Sequence, residues 1–512
     1  VLIVATKNLI LAIVAGLVVN LAFPDTGWWP LAFVGIAMLW IALREATPWR
    51  GFFLTWMFGI AFLLPHVYWA HESVGAVPWI ALSVAEGAFI GLFGAAWAVV
   101  RRAPSRHSEA PWWSPFAFAL LWVGMEQIRS IIPFGGFPWG RIGFSQVDAP
   151  IARFAWIGGV PLVSFVTVTI GAALGLGLEA LLRRRLVIAL ALPIGGAAIL
   201  ACGFLVPLDT QATDGQLRAG MVQGNVPNAG LDAFAQARQV TENHRDGTLA
   251  LVESDPGPMD LVVWPENSAD YDPRTDAESA AMVEQSAQAA GVPILLGTND
   301  YSPEEGRYNT SLLWAPGGEI LDTYSKQRPA PFAEYIPMRE IAGYFSDAVD
   351  LVQTEVIPGV GPATVEVPVE NLGRDVTVGT IICFEVAYDG IVTDAVNAGA
   401  EVLFVQTNNA NFGLTAESTQ QLQMTRMRAI ETGRATVQIS TVGVSGVVAP
   451  NGRLLDETGL FTAEQMYASL PLRTEITPAV KYDWLWHYGF LVLPAAAVVV
   501  GTIRTVRERY EW

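Results

Sequence analysis

The 512-residue sequence is poor in charge, in histidine and above all in cysteine. Charged residues make up 15% of the chain, well under the roughly 25% usual for soluble domains. A wholly soluble multidomain protein is therefore a poor description. The five histidines fall in no metal-ligand spacing, so neither a metal nor a cofactor is expected. Two cysteines, Cys202 and Cys383, are too few for a disulfide scaffold. Thirty basic residues face 48 acidic ones, a formal charge of −18, which excludes the basic footprint of a nucleic-acid-binding protein.

What the chain has instead is apolar length. Hydrophobic residues reach 52%, there are 18 tryptophans, and the mean hydropathy is +0.38. The apolar residues are concentrated in runs near the roughly 20 residues a helix needs to cross a bilayer core. They predict seven spans at about 8–24, 28–45, 51–70, 76–100, 112–128, 151–182 and 186–207. An eighth lies at about 487–503. The sequence thus divides into a seven-helix membrane part (1–208), a globular domain (209–480), and a closing helix with a short charged tail (481–512). A cleavable signal peptide is a poor reading of the first run, because further spans follow at once.

Arginine placement sets the expected orientation. With the N-terminus inside, Lys7, Arg44, Arg50, Arg101, Arg102, Arg106 and Arg183 to Arg185 fall on the cytoplasmic side. The globular domain then falls outside. Arg129 and Arg141 break the pattern, and the expectation is that they hold an outer loop or meet lipid phosphate, with Glu126 as a partner. The separated thiols are not expected to pair.

Short β-prone runs mark the domain at 209–480, among them "LRAGMVQG", "DLVVWPE", "VPILLGT", "VTVGTIICFE" and "EVLFVQTN". Between them stand helix-like patterns such as "DAESAAMVEQSAQAAG" and "TQQLQMTRMRAIETGR", with apolar residues three and four apart. "APGGE" and "APNGR" are hairpin signals. The pattern predicts an α/β domain. Three polar residues sit at predicted strand ends, where α/β folds place chemistry: Glu266, Lys326 and Cys383. Each alone has an ordinary reading, since a thiol in an apolar run is usually just a small hydrophobe. Together, a carboxylate, an amine and a thiol supply a base, an oxyanion partner and a nucleophile.

Their order and contexts, "WPEN", "YSKQRPAPFAEYIP" and "ICFE", resemble the Glu-Lys-Cys set of the nitrilase superfamily. With spans on either side, the chain resembles that superfamily's integral membrane branch, the apolipoprotein N-acyltransferases. "FPWGRIGFSQ" (137–146), "VQGNVP" (222–227), "NNANFG" (408–413) and "QMTRMRAIETGR" (423–434) extend the likeness along the chain. The resemblance implies an α-β-β-α sandwich on the outer face of the bacterial cytoplasmic membrane. It implies ping-pong transfer of an acyl chain from a phospholipid, through a Cys383 thioester, to the amine of a diacylglyceryl apolipoprotein. Lys326 is expected to help form the thiolate. Glu334 matches a second glutamate near the triad, and Glu385 follows the nucleophile. Phe137 and Trp139 become candidates for lipid contact. Some such chains are fused to a polyprenol-sugar synthase, so that enzyme is an implied partner, although no synthase-like segment occurs here.

Three residues depart from the family pattern. Phe384 stands where a tyrosine is common, and "NNANFG" stands for "NDAWFG", so Asn409 replaces a carboxylate and Asn411 an indole. These changes are expected at the acyl-accepting mouth. Two rivals remain at this point: a membrane-tethered amidase that uses water, and a non-catalytic membrane scaffold.

Overall fold

The computed structural model describes residues 2–102, 111–226, 237–302 and 306–510. Arg106 and Pro227 lie outside them. The described chain divides into two compact units, Val1–His71 with Ala76–Pro207 and Lys481–Trp512, and Leu208–Val480 with Glu72–Gly75.

The first unit is helical: α1 (Leu2–Asn20), α2 (Pro30–Leu43), α3 (Pro48–His66), the short α4 (Trp69–Val74), α5 (Ala76–Arg102), α6 (Ser114–Arg129), α7 (Ala155–Leu182) and α8 (Leu186–Cys202). The last helix, α15 (Asp483–Tyr510), belongs with them. Helices stand at all eight predicted places, but among the described residues only four stretches are long and apolar enough to cross a membrane. These are Ala76–Arg101, Pro150–Leu182, Leu186–Leu205 and Asp483–Arg507. Length accounts for two of the others. The 14 residues of α2 rise about 21 Å and the 16 of α6 about 24 Å, against a core of about 30 Å. The run of α3 is diluted by Arg50, two prolines and His66.

Inside this unit Arg129 pairs with Glu86 at 3.2 Å, not with Glu126. It also donates to the carbonyls of Phe137 (2.9 Å) and Trp139 (2.8 Å), and so pins the loop that follows α6. Glu126 instead accepts from Trp122 Nε1 at 2.9 Å and from the Ile142 N–H at 2.8 Å.

The second unit has two six-stranded sheets. One has the order β12-β1-β2-β3-β4-β5: β1 (Gln216–Gln223), β2 (Leu261–Val263), β3 (Ile294–Ser302), β4 (Gly306–Trp314), β5 (Ile320–Ser325) and β12 (Glu464–Pro471). The other runs β11-β10-β9-β8-β7-β6: β6 (Thr364–Val369), β7 (Arg374–Ile382), β8 (Val402–Thr407), β9 (Thr436–Ser440), β10 (Gly446–Val448) and β11 (Leu454–Glu457). The central strands β1, β2 and β3 pair in parallel, as do β7, β8 and β9, while the outer strands are antiparallel. Parallel strands are covered on both faces, and every residue of β8 is buried.

Helices α9 (Ala237–Glu253) and α10 (Ala277–Ala290) cover the first sheet; α12 (Asp389–Asn397) and α13 (Glu417–Thr432) cover the second. Two four-residue helices, α11 (Arg339–Ala342) and α14 (Pro478–Lys481), complete the set. The layers are the α-β-β-α order that the resemblance implies. Between the sheets, Gln406 accepts from Ser311 Oγ (2.6 Å) and Thr380 Oγ1 (2.7 Å) and donates to the Trp264 carbonyl (2.6 Å). A buried polar group costs free energy unless it is paired, and both the oxygen and the nitrogen of this amide are paired. It registers one sheet on the other directly beneath the strand ends.

Candidate active site

Parallel strands deliver their C-terminal ends to one edge. Glu266 follows β2, Lys326 follows β5, Cys383 follows β7, and Asn408 follows β8. The turn carrying Glu266 lies against β3 at Gly297. A Cβ there would stand 2.7 Å from Glu266 Cα and from the Pro265 carbonyl, so only glycine admits this turn.

Glu266 and Lys326 form an ion pair, Oε1 to Nζ 3.1 Å, with both side chains buried. Glu334 completes it from the far side, its Oε2 2.9 Å from the same Nζ. Asn309, in the middle of β4, donates from Nδ2 to Glu266 Oε1 (2.7 Å) and to Glu334 Oε1 (3.0 Å). The Ala330 N–H donates to Glu334 Oε2 at 2.7 Å. Burial alone would lower the lysine pKa, but the two carboxylates outweigh it and hold Lys326 well above its ordinary value. Burial raises Glu334 and the ammonium lowers it, with the lowering dominant. The cluster is one ammonium held between two carboxylates.

Cys383 sits in a left-handed backbone conformation, φ 55°, at the turn from β7 into the helical segment Cys383–Ala387. Non-glycine residues in that region store strain, and such strain clusters at active sites. The sulfur of half-buried Cys383 lies 3.3 Å from Thr407 Oγ1, while the next residue, Asn408, gives its N–H to Glu266 Oε2 at 2.8 Å. The end of β8 therefore holds the thiol and the carboxylate at once. Burial, and next the Glu266 carboxylate, push the Cys383 thiol well above its usual range, against the opposing pull of Lys326 and Thr407. A thiol raised in this way keeps its proton near neutral pH.

Glu385 is fully buried and does not face the sulfur. Its Oε1 accepts from Tyr324 OH (2.9 Å), Gln327 N (2.7 Å) and Arg328 N (3.1 Å), and its Oε2 from Ile382 N (3.0 Å). It fastens the Lys326 loop to the Cys383 turn. Phe384 is buried with its ring edge-on to Tyr388 at 5.6 Å. Asn409 is 2% exposed and reaches inward, so it lines no mouth: its Nδ2 donates to Glu417 Oε2 at 2.5 Å and to Gln421 Oε1 at 3.0 Å. Asn411 is half-buried in the short turn Ala410–Phe412. Trp139, in the helical unit, is 1% exposed and packs on Trp69 with ring centroids 5.4 Å apart. It is a core ring, not a lipid-facing one; Phe137 beside it is half-buried.

Sequence reasoning missed Asn309, Thr407, Asn408 and Glu417. A polar residue inside the apolar strand "NTSLLW" was a signal for Asn309. Nothing local distinguishes Glu417.

Residues 218–476 match the carbon-nitrogen hydrolase family model, which sets the class of the two-sheet unit as a nitrilase-like domain. Residues 15–173 match the apolipoprotein N-acyltransferase N-terminal domain. An apolipoprotein N-acyltransferase of Mycolicibacterium smegmatis is 36% identical over 97% of this chain and 85% of its own length. One of Azotobacter vinelandii is 31% identical over 92% and 91%. The chain belongs to the apolipoprotein N-acyltransferase family. Among solved structures, an amidase of the nitrilase superfamily from Nesterenkonia AN1 is 19% identical over 53% of this chain and 96% of its own, with a TM-score of 0.38.

Proposed function

We propose that the chain moves an acyl group from a membrane phospholipid, through a thioester on Cys383, to the α-amine of diacylglyceryl-cysteine on a bacterial apolipoprotein. The observation that carries this reading is the Glu266–Lys326–Glu334 cluster beside Cys383, in a chain whose catalytic unit is preceded and followed by apolar helices. Relatives named for this activity, aligned along most of both chains, favour it over a tethered amidase or a scaffold.

The first half-reaction starts from the thiol. As Sγ attacks the ester carbonyl, the S–H proton passes to Glu266. The tetrahedral oxyanion is met by the Lys326 ammonium and by a backbone N–H near Cys383, and one such donor is worth about 3–4 kcal/mol. The C–O bond breaks, the departing alkoxide takes the proton from Glu266, and lysophospholipid leaves. In the second half-reaction the lipoprotein amine attacks the thioester and gives a proton to Glu266. The C–S bond breaks and the sulfur recovers that proton. Glu334 keeps Lys326 charged while Glu266 holds the proton, because an adjacent carboxylate favours the ammonium form.

The same reading sets residues 1–208 as the membrane part, 209–480 as an extracytoplasmic catalytic domain, and 481–512 as a helix returning to the cytoplasm. All eight apolar helices cross, the short ones extended by interfacial tryptophans such as Trp28 and Trp49, which are exposed. Exposed apolar residues along α8, among them Leu186, Val187, Leu190 and Ile194, suit a lipid-facing surface.

Intact mass spectrometry of the purified chain with a defined phospholipid tests the chemistry. One acyl adduct on Cys383 is expected, stable in water and discharged by a diacylglyceryl peptide. Discharge to water at the same rate without peptide would make the protein a hydrolase. No adduct would make it a scaffold.

A further inference from the structure

Cations of the catalytic unit are few and mostly committed. Residues 209–480 hold 37 Asp and Glu against 14 Lys and Arg. Arg218, Arg274, Arg374 and Arg428 each close an ion pair with an aspartate or glutamate, and Lys326 lies between two. Arg328 closes none among the described residues. Its side chain is exposed, and its guanidinium lies 5.8 Å from the centre of the Tyr388 ring.

Its place is fixed relative to the thiol. The Arg328 N–H donates to Glu385 Oε1, and the other oxygen of that carboxylate holds Ile382, the residue before Cys383. Tyr388 in turn packs on Phe384, the residue after Cys383. Arg328 is therefore joined to the nucleophile turn twice, through its backbone and through its side chain. A guanidinium supported on an aromatic face keeps its N–H edges free, and those edges match the oxygens of a phosphate.

Within the acyl-transfer reading, the two substrates differ in charge at this point. A phospholipid carries an anionic phosphodiester close to the ester carbonyl under attack. Diacylglyceryl-cysteine has no phosphate. We propose that Arg328 binds the phosphodiester of the acyl donor during formation of the thioester and is idle during its discharge. In an acidic domain, a cation that closes no ion pair among the described residues and is joined to the Cys383 turn offsets the repulsion that an anionic lipid meets there.

The test measures single-turnover acylation of the full-length chain in detergent, wild type against Arg328→Gln. One donor is phosphatidylglycerol in mixed micelles; the other is p-nitrophenyl palmitate, an acyl ester without phosphate. The expected result is a loss of about tenfold or more in acylation efficiency with phosphatidylglycerol, the size of a lost charge-assisted hydrogen bond. Acylation by the nitrophenyl ester should stay within about twofold, which also shows that the variant is folded, and discharge of the preformed thioester to a diacylglyceryl peptide should be unchanged. An equal loss with both donors would make Arg328 a support for the Cys383 turn and overturn the proposal. No loss with either would reduce it to a cap on Tyr388, and also overturn it. Failure of the transferase reading is distinct: there the wild type itself is not acylated by phosphatidylglycerol, and the phosphate site falls with it.

Discussion

Asn409 Nδ2 stands 2.5 Å from Glu417 Oε2, with both residues buried in the catalytic unit. The carboxylate missing at position 409 is thus met from α13, eight residues further on. From the same nitrogen, bonds lead to Gln421 Oε1 and to Thr407 Oγ1, and from Thr407 to the sulfur of Cys383.

Burial pushes Glu417 up to about 8, with the Glu266 carboxylate adding to the shift and the Asn409 bond opposing it. The folded state therefore binds this proton more tightly than the unfolded chain, whose carboxyl keeps its ordinary value near 4.5. The resulting stability is complete below about pH 4.5 and is lost as pH rises through about 8. Glu417→Gln keeps an acceptor for Asn409 and removes the proton. Between pH 6 and 8.5 the melting temperature of the wild type should fall more steeply than that of the variant. The difference corresponds to as much as about 1.4 kcal/mol per pH unit. Parallel curves would show that Glu417 does not titrate in that window.

Lys326→Met should cost more than activity. It leaves Glu266 and Glu334 buried without their cation, and breaking a buried pair in this way costs about 3–5 kcal/mol. Adding Glu334→Gln removes one of the two charges, so the double variant should regain part of the lost stability in chemical melts. Neither protein should form the Cys383 thioester by intact mass. A double variant that acylates at wild-type rates would end the oxyanion role of Lys326.

Glu385→Gln tests the fastening between the Lys326 loop and the Cys383 turn. The carboxylate accepts four bonds on two oxygens, whereas an amide must turn its NH₂ toward donors on one side. Acylation should slow by about tenfold or more, as expected when a buried donor loses its partner. Amide hydrogen exchange at Gln327, Arg328 or Ile382 should quicken. Slower acylation with unchanged exchange at all three would place Glu385 in the chemistry instead.

The legible parts of this molecule are those that one stretch of chain writes by itself. Glu266, Lys326 and Cys383 follow β-prone runs within a few residues, so their strand-end positions can be read directly. Glu334, eight residues after Lys326, does fold back onto it. The strands β6 and β12 went unread because "TVEVPV" carries a proline and "EQMYASLP" opens on a charge and a glutamine; both are edge strands, where pairing on one side suffices. Asn309, Thr407 and Glu417 were hidden for another reason. They become site residues only when β4, β8 and α13 meet, across sequence separations that no local pattern encodes. Asn409 and Trp139 were misplaced by the same limit: a polar amide in a loop motif reads as exposed, and a tryptophan near a membrane reads as interfacial, until packing shows both inside.

Thr407 offers the most direct test of how the thiol is activated. Its hydroxyl has one proton and two acceptors, Gln421 Oε1 at 2.8 Å and Cys383 Sγ at 3.3 Å. A neutral thiol is a weak acceptor, so in the resting protein the proton belongs to the amide oxygen. On the proposed mechanism the sulfur loses its proton to Glu266; negative charge then makes it the stronger acceptor, and a rotation about one bond turns the hydroxyl toward it. Hydrogen bonds to charged groups are worth about 1.5–3 kcal/mol, so losing this one should slow acylation by about tenfold or more. Thr407→Val preserves shape and removes the donor. The apparent pKa of Cys383, read from the pH dependence of alkylation by a small haloacetamide, should move further up, because the hydroxyl favours the thiolate. Thr407→Ser keeps the hydroxyl and should restore both the rate and the pKa, which a simple packing role would not do. If valine slows acylation while the alkylation profile stays in place, the hydroxyl serves Gln421 alone, and the sulfur is activated without it.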